Sequence, residues 1–283
     1  MTSGILYVVA TPIGNLADFS PRAREILNSV DLIAAEDTRH TRRLLSHFGI
    51  KTRLFALHEH NEKAASAELI RLMLDGKSVA LVSDAGTPLL SDPGFELVAE
   101  AHQSGLTVSP VPGPSALVAA LSAGGIPADR FCFEGFLPAR GAARQARLAE
   151  LRTENRTLVF YESVHRIAAM LEDLINILGG ERNACLAREL TKLHEELRRG
   201  TLVSIQQALQ AGDIAAKGEF VLLVSGAERR TADSTVDQET ALLKVLMDYL
   251  PGKQAVEAAV RISGGKRNEI YEAMLRLKAT KPE

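Results

Sequence analysis

Short apolar segments alternate with helix-forming segments over residues 5–225, and most of the apolar segments end in loops of glycine, proline and small residues. This order is typical of βαβ units, in which helices connect the strands of a mainly parallel sheet. Ser20 before Pro21 is typical of a helix N-cap with proline at the first helical position. Gly49 and Gly76 lie where glycine commonly ends a helix. The sequence therefore predicts an α/β fold.

The predicted elements follow from hydrophobic periodicity and from these helix signals. Strands are expected at residues 5–10, 32–35, 79–82, 106–111, 131–134, 157–161, 184–187 and 219–225. Helices are expected at residues 21–29, 38–48, 63–75, 95–104, 144–152, 164–178 and 205–211, with one more from a cap at Ser115 to Gly124. Residues 190–203 fit either an antiparallel excursion or a loop over the site.

The glycine and proline stretch at residues 124–127 is the predicted boundary between two lobes. A polar linker is expected at residues 226–235, and three short amphipathic helices are expected after it, at residues 237–250, 253–262 and 266–278. A helix-turn-helix and a packing or dimerisation appendage both fit this pattern. The predicted domains are an N-terminal lobe, a second lobe and a small helical domain with its linker, at residues 1–122, 123–228 and 229–283.

Composition and charge are those of an ordinary globular protein, with 46% hydrophobic residues, 24% charged residues and a net charge of −2. This balance is not typical of a nucleic-acid-binding domain. The sequence shows no leader pattern and no apolar run near the ~18 residues of a membrane helix, so the expected location is the cytoplasm. Basic side chains nevertheless cluster at residues 39–43 and 140–156, where they either follow a phosphate backbone or form solvated helix faces.

Several familiar cofactor and metal motifs are absent from the sequence. No G-x-G occurs among the 21 glycines, so the dinucleotide fingerprint is missing. The triplet Gly76-Lys77-Ser78 precedes a predicted strand and not a helix, so it does not end a P-loop. Cys132 and Cys185 form no CxxC pair, and no two histidines are three or four residues apart. Neither a disulfide nor a metal site is expected.

Three strand-end loops share one design, at residues 7–15, 79–94 and 111–121. Ligands of open α/β sheets bind beyond the carboxyl ends of the strands, so these loops predict a single site. The second loop carries Asp84 beside Ala85 and Gly86, which are small enough to admit a planar ring or a ribose. The alternative for Asp84 is a helix cap or a turn residue.

Seven segments of the chain match motifs of a known family. They are ATPIGNLAD (10–18), AAEDTRHTRRLL (34–45), VSDAGTPLLSDPG (82–94), PVPGPSALVAALSAGG (110–125), FYESVHR (160–166), ARELTKLHEE (187–196) and KGEFVLLV (217–224). Together they resemble the tetrapyrrole-methylase-like superfamily, also called class III S-adenosylmethionine-dependent methyltransferases. Within it, the sequence resembles the bacterial group that 2′-O-methylates a cytidine in the decoding region of 16S ribosomal RNA.

This resemblance implies a two-lobed tetrapyrrole-methylase fold that binds S-adenosyl-L-methionine in the cleft between the lobes of a homodimer, without a metal. It also implies S-adenosyl-L-homocysteine as product and 16S rRNA within the small ribosomal subunit as substrate. The implied cofactor-binding residues are Asp84, Ala85, Gly86, Pro88, Leu89, Ser115, Ala116, Phe160, Tyr161, Leu186, Ala187, Arg188, Gly218 and Glu219. Ser115 as a plain helix cap and Tyr161 as a core aromatic are the alternatives for two of them.

Transfer of a methyl group to a ribose hydroxyl depends on orientation and is helped by a general base. The candidates in the family motifs are Glu36, His40 and Glu162, besides Glu189 and Asp37, and the prediction is that Glu189 or Asp37 assists. The implied phosphate contacts, for which ordinary surface charge is the alternative, are Arg39, His40, Arg42, Arg43 and Arg166.

Two other functions stay open at this point. One is a methyltransferase of the same fold that acts on a tetrapyrrole such as a precorrin, and the other is a noncatalytic ribosome-assembly factor that retains the fold. The TPIGN loop, the basic cluster at residues 39–43 and the C-terminal helices favour the rRNA enzyme, because a small substrate needs no such additions.

Overall fold

A computed structural model describes residues 3–228 and 232–279 of the chain. The chain divides between residues 227 and 228 into two compact units. The first unit holds two five-stranded sheets, and the second unit holds three helices. The two units are therefore taken separately.

The first sheet is wholly parallel, with the strand order β3-β2-β4-β1-β5. Its strands are β1 (Ile5–Val9), β2 (Leu32–Ala35), β3 (Arg53–Ala56), β4 (Val79–Val82) and β5 (Thr107–Val111). Its helices are α1 (Pro21–Ser29), α2 (Thr38–His47), α3 (Glu62–Leu74), α4 (Phe95–Gln103) and α5 (Ala116–Ala123), with a 3₁₀ helix at Leu16–Asp18. The predicted βαβ alternation is confirmed here, and the edge strand β3 is an element that the sequence reading missed.

Alternating side chains of the buried strands divide the first core into two layers. Leu32 and Ala34 of β2 pack with α3 and α4, whereas Ile33 and Ala35 pack with α1 and α2. Strands buried on both faces are apolar throughout, which is the usual pattern in doubly wound parallel sheets. The predicted cap of α1 is confirmed, because the Ser20 hydroxyl oxygen accepts a hydrogen bond from the third amide of the helix at 3.0 Å.

The second sheet has the strand order β6-β7-β10-β8-β9. Its strands are β6 (Phe131–Phe136), β7 (Thr157–Ser163), β8 (Asn183–Arg188), β9 (Glu196–Thr201) and β10 (Glu219–Val224). Its helices are α6 (Gly141–Glu150), α7 (Ile167–Leu178) and α8 (Leu202–Ala211). One face of this sheet packs on these three helices.

Only β6 and β7 pair in parallel in the second sheet, so the expectation of a mainly parallel arrangement is wrong for this lobe. The reason is topological. Strand β10 inserts between β7 and β8 and runs antiparallel to both. Strand β9 follows β8 after a short turn without a crossover helix, which permits only an antiparallel pair. Of the two interpretations of residues 190–203, the antiparallel excursion is therefore confirmed.

Helix α5 joins the two sheets of the first unit. It follows β5 of the first sheet, yet Leu117, Ala120 and Leu121 pack against the face of the second sheet that α6–α8 leave uncovered. Gly124 ends the helix where a side chain would meet Leu223 and the backbone of the helix itself. The carboxyl ends of the first sheet and this face of the second sheet thus border the same space.

The second unit is formed by α9 (Ala232–Met247), α10 (Gly252–Ser263) and α11 (Arg267–Ala279) around an apolar core that includes Leu243, Val256 and Ile270. The prediction of three helices is confirmed. The predicted linker at residues 226–235 is too long, because the chain is helical from Ala232; its residues 229–231 lie outside the described part. No described helix combines the length and apolar character that crossing a membrane requires.

Candidate active site between the two sheets

A cavity of about 350 Å³ lies between the two sheets of the first unit. Its volume is within the usual range for a small-molecule site. The first lobe contributes strand-end loops after β1, β4 and β5, and the second lobe contributes residues of β7, β8 and β10. The predicted site at the carboxyl ends of the strands thus corresponds to a real cavity.

The loop after β4 is held in a backbone conformation that few side chains adopt. Gly86 has φ of +80° and exchanges two backbone hydrogen bonds with Thr11, at 2.9 and 3.0 Å. A Cβ on Gly86 would lie 3.2 Å from Ile13. Leu89 and Ser91 have φ of 72° and 71° without being glycine. Strain of this kind persists where the surrounding structure enforces it, and it is often found at functional sites.

The N-terminus of α5 presents one polar atom without a protein partner to the cavity. Ser115 holds the N-cap position, but its side chain makes no capping hydrogen bond, so the cap alternative for Ser115 is wrong. Its hydroxyl oxygen is buried and has no hydrogen-bond partner in the described structure. Because a buried polar group without a partner is costly, this hydroxyl is well placed to bond a ligand in the cavity.

Tyr161 accepts a hydrogen bond from the first turn of α5, which the side chain of Ser115 does not do. Its hydroxyl oxygen accepts a hydrogen bond from the backbone N–H of Leu117 at 3.0 Å. The ring packs edge to face with Phe133 and Phe136, at centroid distances of 4.9 and 5.7 Å. Burial raises the pKa of the Tyr161 hydroxyl, so this group stays neutral. The residue therefore joins the second sheet to the first turn of α5 beside the cavity.

Acidic side chains gather where β2 and β4 end. Asp84 accepts a hydrogen bond from the backbone N–H of Asp37 at 3.1 Å. Asp92 lines the cavity, and burial raises its pKa to about 6. A hydrogen bond from the Ser83 hydroxyl acts in the opposite direction, and the Glu36 and Asp84 carboxylates add to the rise. Burial, and then the charge of Asp84, also raises the pKa of Glu36. Sequence reasoning missed Asp92, although the residue lies in the family motif at residues 82–94.

On the opposite wall, Lys192 joins two carboxylates. Its Nζ lies 2.8 Å from Glu189 Oε1 and 3.1 Å from Glu219 Oε2. Glu189 Oε1 also accepts a hydrogen bond from the backbone N–H of Glu219 at 3.0 Å. The hydrogen bond from Lys192 is the main cause of a lowered pKa for Glu189. Glu189 is therefore held as an anion by an ion pair, and Lys192 and Glu219 line the cavity beside it.

Eight of the fourteen residues predicted to hold the cofactor line this cavity: Asp84, Ala85, Gly86, Ser115, Ala116, Tyr161, Ala187 and Glu219. The side chains of Phe160 and Leu186 lie in the core beneath α6–α8, because neighbouring residues of a strand face opposite sides of the sheet. Arg188 instead donates to the carbonyl oxygens of Lys217 and His194, at 2.8 and 2.9 Å. The other predicted residues outside the cavity lining are Pro88, Leu89 and Gly218.

Asp37 caps helix α2. Its Oδ1 accepts hydrogen bonds from the backbone N–H groups of Arg39 and His40, at 2.8 and 3.4 Å. The side chain of Arg39 also bonds this carboxylate, and these bonds hold its pKa at about 2. A carboxylate with so low a pKa is a weak general base near neutral pH. The backbone of Asp37, through Asp84, places the start of α2 at the edge of the cavity.

The predicted phosphate contacts divide into two groups. Arg39, His40, Arg42 and Arg43 are exposed on α2. Arg166 instead donates to the carbonyl oxygen of Leu137 and pairs with the buried carboxylate of Glu162 at 3.3 Å. The first four are exposed to solvent, with Arg39 paired to Asp37 at 3.2 Å, whereas Arg166 is engaged within the protein.

Within the described residues, no cluster of three or more His, Cys, Asp or Glu side chains could hold a metal ion. The site is thus formed by small residues, aromatic rings, one unpaired hydroxyl and a set of carboxylates. A cavity of this size between two α/β lobes is typical of the class of proteins that bind a small organic molecule.

Comparison with known proteins gives this class a family. Residues 5–206 match Tetrapyrrole (Corrin/Porphyrin) Methylases, and residues 233–278 match the RsmI C-terminal HTH domain. Two relatives are named "Ribosomal RNA small subunit methyltransferase I". The protein of Xylella fastidiosa (strain Temecula1) is 52% identical over 270 residues, which cover 95% of this chain and 98% of the relative. The protein of Pseudomonas aeruginosa is 49% identical over 276 residues, which cover 97% of this chain and 98% of the relative.

Solved structures support the same fold. The crystal structure of uroporphyrin-III-C-methyltransferase from Thermus thermophilus has a TM-score of 0.56 at 22% identity and covers 78% of this chain and 94% of that one. The crystal structure of the methyltransferase CobJ has a TM-score of 0.58 at 21% identity and covers 81% and 98%. The chain belongs to the tetrapyrrole methylase family, within the group of ribosomal RNA small subunit methyltransferase I proteins. The predicted family and fold class are confirmed.

Proposed function

We propose that this protein transfers the methyl group of S-adenosyl-L-methionine to the ribose 2′-hydroxyl of a cytidine in the decoding region of 16S rRNA, acting on the small ribosomal subunit in the cytoplasm. The observation that carries the proposal is identity of about half over nearly the full length to relatives named for small-subunit rRNA methylation. A homodimer, which the family resemblance implies, belongs to the same proposal.

The residues around the cavity fit this cofactor. Ala85, Gly86 and Ala116 leave room for a purine and a ribose, and the unpaired hydroxyl of Ser115 offers a hydrogen bond. Carboxylates on both walls suit the positive charges of the sulfonium and the amino group. When bound, the cofactor supplies an electrophilic methyl group. The protein contributes orientation, because an in-line displacement requires the acceptor oxygen close to the methyl carbon and opposite the sulfur.

Asp92 is the residue that we assign to the proton of the attacking hydroxyl. Asp92 lines the cavity, and its pKa of about 6 is near the value at which a general base works best at neutral pH. The two bases predicted from the sequence are less suited, since Asp37 caps a helix and Glu189 is paired with Lys192. Their part in catalysis stays a prediction, which transfer within about fivefold of wild type after Ala replacement of both would contradict.

The exposed basic side chains of α2 give the RNA a place beside the cavity. The hydrogen bond from Asp37 to Asp84 fixes the start of α2 there, and Arg39, Arg42 and Arg43 follow on its surface. Phosphate contacts of this kind position a strand without reading its sequence.

The test is transfer of radiolabelled methyl from S-adenosyl-L-methionine to small ribosomal subunits that lack the modification. Naked rRNA, large subunits and a precorrin serve as parallel acceptors. We expect label in the RNA of the small subunit, lost in Asp84→Ala and retained in Asp75→Ala. Asp75 is an exposed aspartate that follows α3, on the side of the first sheet where the strands begin. Label only in the precorrin would assign the tetrapyrrole function, and cofactor binding without any transfer would assign a noncatalytic role.

A further inference from the structure

A second, smaller hollow of about 200 Å³ lies between the 3₁₀ helix and the helices α1 and α2. We call it the α1–α2 hollow. It is lined by Leu16, Ala17, Phe19, Arg24, His47 and Phe48. None of these residues lines the larger cavity, and none has a part in the function proposed above.

The walls of the α1–α2 hollow combine aromatic rings with a planar cation. The ring of Phe19, which is 2% exposed and belongs to the core, packs on Phe48 at a centroid distance of 5.2 Å, and His47 packs edge to face on Phe48 at 4.8 Å. The aromatic rings open to a ligand are therefore those of Phe48 and His47. The guanidinium carbon of Arg24 lies 5.3 Å from the centroid of Phe48. Leu16 is 40% exposed at the entrance. Unstacked RNA bases bind on surfaces of this kind, where they stack on aromatic rings and on arginine guanidinium planes.

Two segments of chain connect the hollow to the larger cavity. Ile13 lines the cavity and Leu16 lines the hollow, so three residues, at most about 11 Å, separate the two. Helix α2 begins at the cavity edge and reaches the hollow at His47, which for ten residues is about 15 Å. The hollow is therefore within reach of a nucleotide close to one that occupies the cavity.

The surface between the two places is basic. Arg39, Arg43 and His47 follow one another at intervals of four residues and so share one face of α2, and all three are exposed. Arg42 is exposed on the neighbouring face. A strand that runs along α2 from the cavity would therefore meet the guanidinium groups of Arg39, Arg42 and Arg43 before it reached the hollow. An apolar peptide side chain would gain nothing from this basic approach.

We propose that the α1–α2 hollow holds a nucleobase of the same RNA strand that presents its ribose to the cavity. The assignment rests on the proposed function and gives it a second contact point. Leu16 and Phe48 supply apolar surface, and Arg24 supplies a planar cation at the rim. The hollow thereby adds a binding contact that is the same before and during transfer, so that its loss weakens binding of the strand without slowing the chemical step.

The experiment compares the double variant Leu16→Ser/Arg24→Gln with the double control Leu74→Ser/Arg22→Gln in the full-length protein. Leu74 and Arg22 are also exposed but lie outside the hollow. Methyl transfer to small subunits lacking the modification gives kcat and KM, and calorimetry gives cofactor affinity. Ultraviolet crosslinking of the wild-type complex, followed by mass spectrometry, identifies the peptides bonded to a base.

We expect the KM for small subunits to rise at least about fivefold in the hollow variant, the lower end of what loss of one stacked base causes, with kcat and cofactor affinity unchanged. The control should stay within about twofold of wild type, and a peptide containing His47 and Phe48 should carry a crosslinked base. Equal KM values in the two double variants, or crosslinks confined to other peptides, would refute base binding in the α1–α2 hollow without affecting the proposed methyltransferase function. Absence of transfer by the wild type would refute the function itself, and with it this assignment.

Discussion

Replacing Asp92 by Asn should make the protein more stable and less active at the same time. Burial raises the pKa of Asp92 from its ordinary value of 3.8 to about 6. The folded state therefore retains a proton that the unfolded chain releases at lower pH. As the pH rises through the range from about 4 to 6, the folded state loses stability, and the loss is complete above that range. Asn carries no charge and avoids this loss.

The size of the effect follows from the two pKa values. Their difference corresponds to about 3 kcal/mol at pH 7.5. Asp92 is partly accessible, and solvent screening reduces this figure, so we expect Asp92→Asn to gain about 1–3 kcal/mol. At pH 5 the carboxylate is mostly protonated in the folded state, and the gain should shrink by about half. Asp75→Asn, at an exposed position outside the cavity, is the matched control.

Urea denaturation of the three proteins at pH 5 and pH 7.5 measures the gain directly. Single-turnover transfer measures its cost in activity, since loss of a general base lowers the rate by about 100-fold or more. The wild-type rate should fall below about pH 6, and this decline should be missing in Asp92→Asn. An equal change in the free energy of unfolding at both pH values would contradict a raised pKa of Asp92 in the folded state. A rate within about fivefold of wild type would refute the catalytic assignment.

Three further changes test individual contacts. Asp37→Ala removes the cap of α2 and should cost about 0.5–2 kcal/mol in denaturation experiments, with a transfer rate on saturating subunits near that of wild type. Tyr161→Phe leaves the N–H of Leu117 without its acceptor, so we expect a loss of about 1–3 kcal/mol and weaker cofactor binding by calorimetry. Arg144→Met breaks the buried ion pair in which Arg144 Nε lies 2.6 Å from Asp173 Oδ2, and it should lower the free energy of unfolding by about 3–5 kcal/mol. The double variant Arg144→Met/Asp173→Leu should regain most of this loss.

The sequence predicts the first lobe well because its signals are local. Strand β4 and helix α1 have the expected limits, and the Ser20 cap is as predicted. The second lobe depends on long-range pairing instead. Strand β10 is recognisable as a strand, but nothing in its own residues reveals that it enters between β7 and β8. Topology of this kind arises from packing between distant segments.

The residues of the candidate site also divide into those with local sequence signals and those that depend on long-range contacts. Asp84 was predictable because it directly follows a core strand. Ser115 has the predicted N-cap position, but the hydroxyl of Tyr161, 44 residues away from Leu117, bonds the first turn of α5, and the serine hydroxyl has no partner in the described structure. The raised pKa of Asp92 is largely non-local, because it results first from burial and then from the Glu36 carboxylate after β2, besides that of Asp84 in its own loop. Spacing along the chain carries no information about such contacts.

Asp84 connects the cavity to the start of α2, the helix on which we propose the phosphate contacts. Its carboxylate lines the cavity and also accepts the N–H of Asp37, which begins α2. Loss of this carboxylate would remove a cavity group and release the start of the helix that carries Arg39 and Arg43. Asp84→Asn keeps one oxygen to accept the N–H but removes the charge. If the two roles are separable, this variant should weaken cofactor binding while leaving the KM for small subunits near that of wild type, whereas Asp84→Ala should impair both.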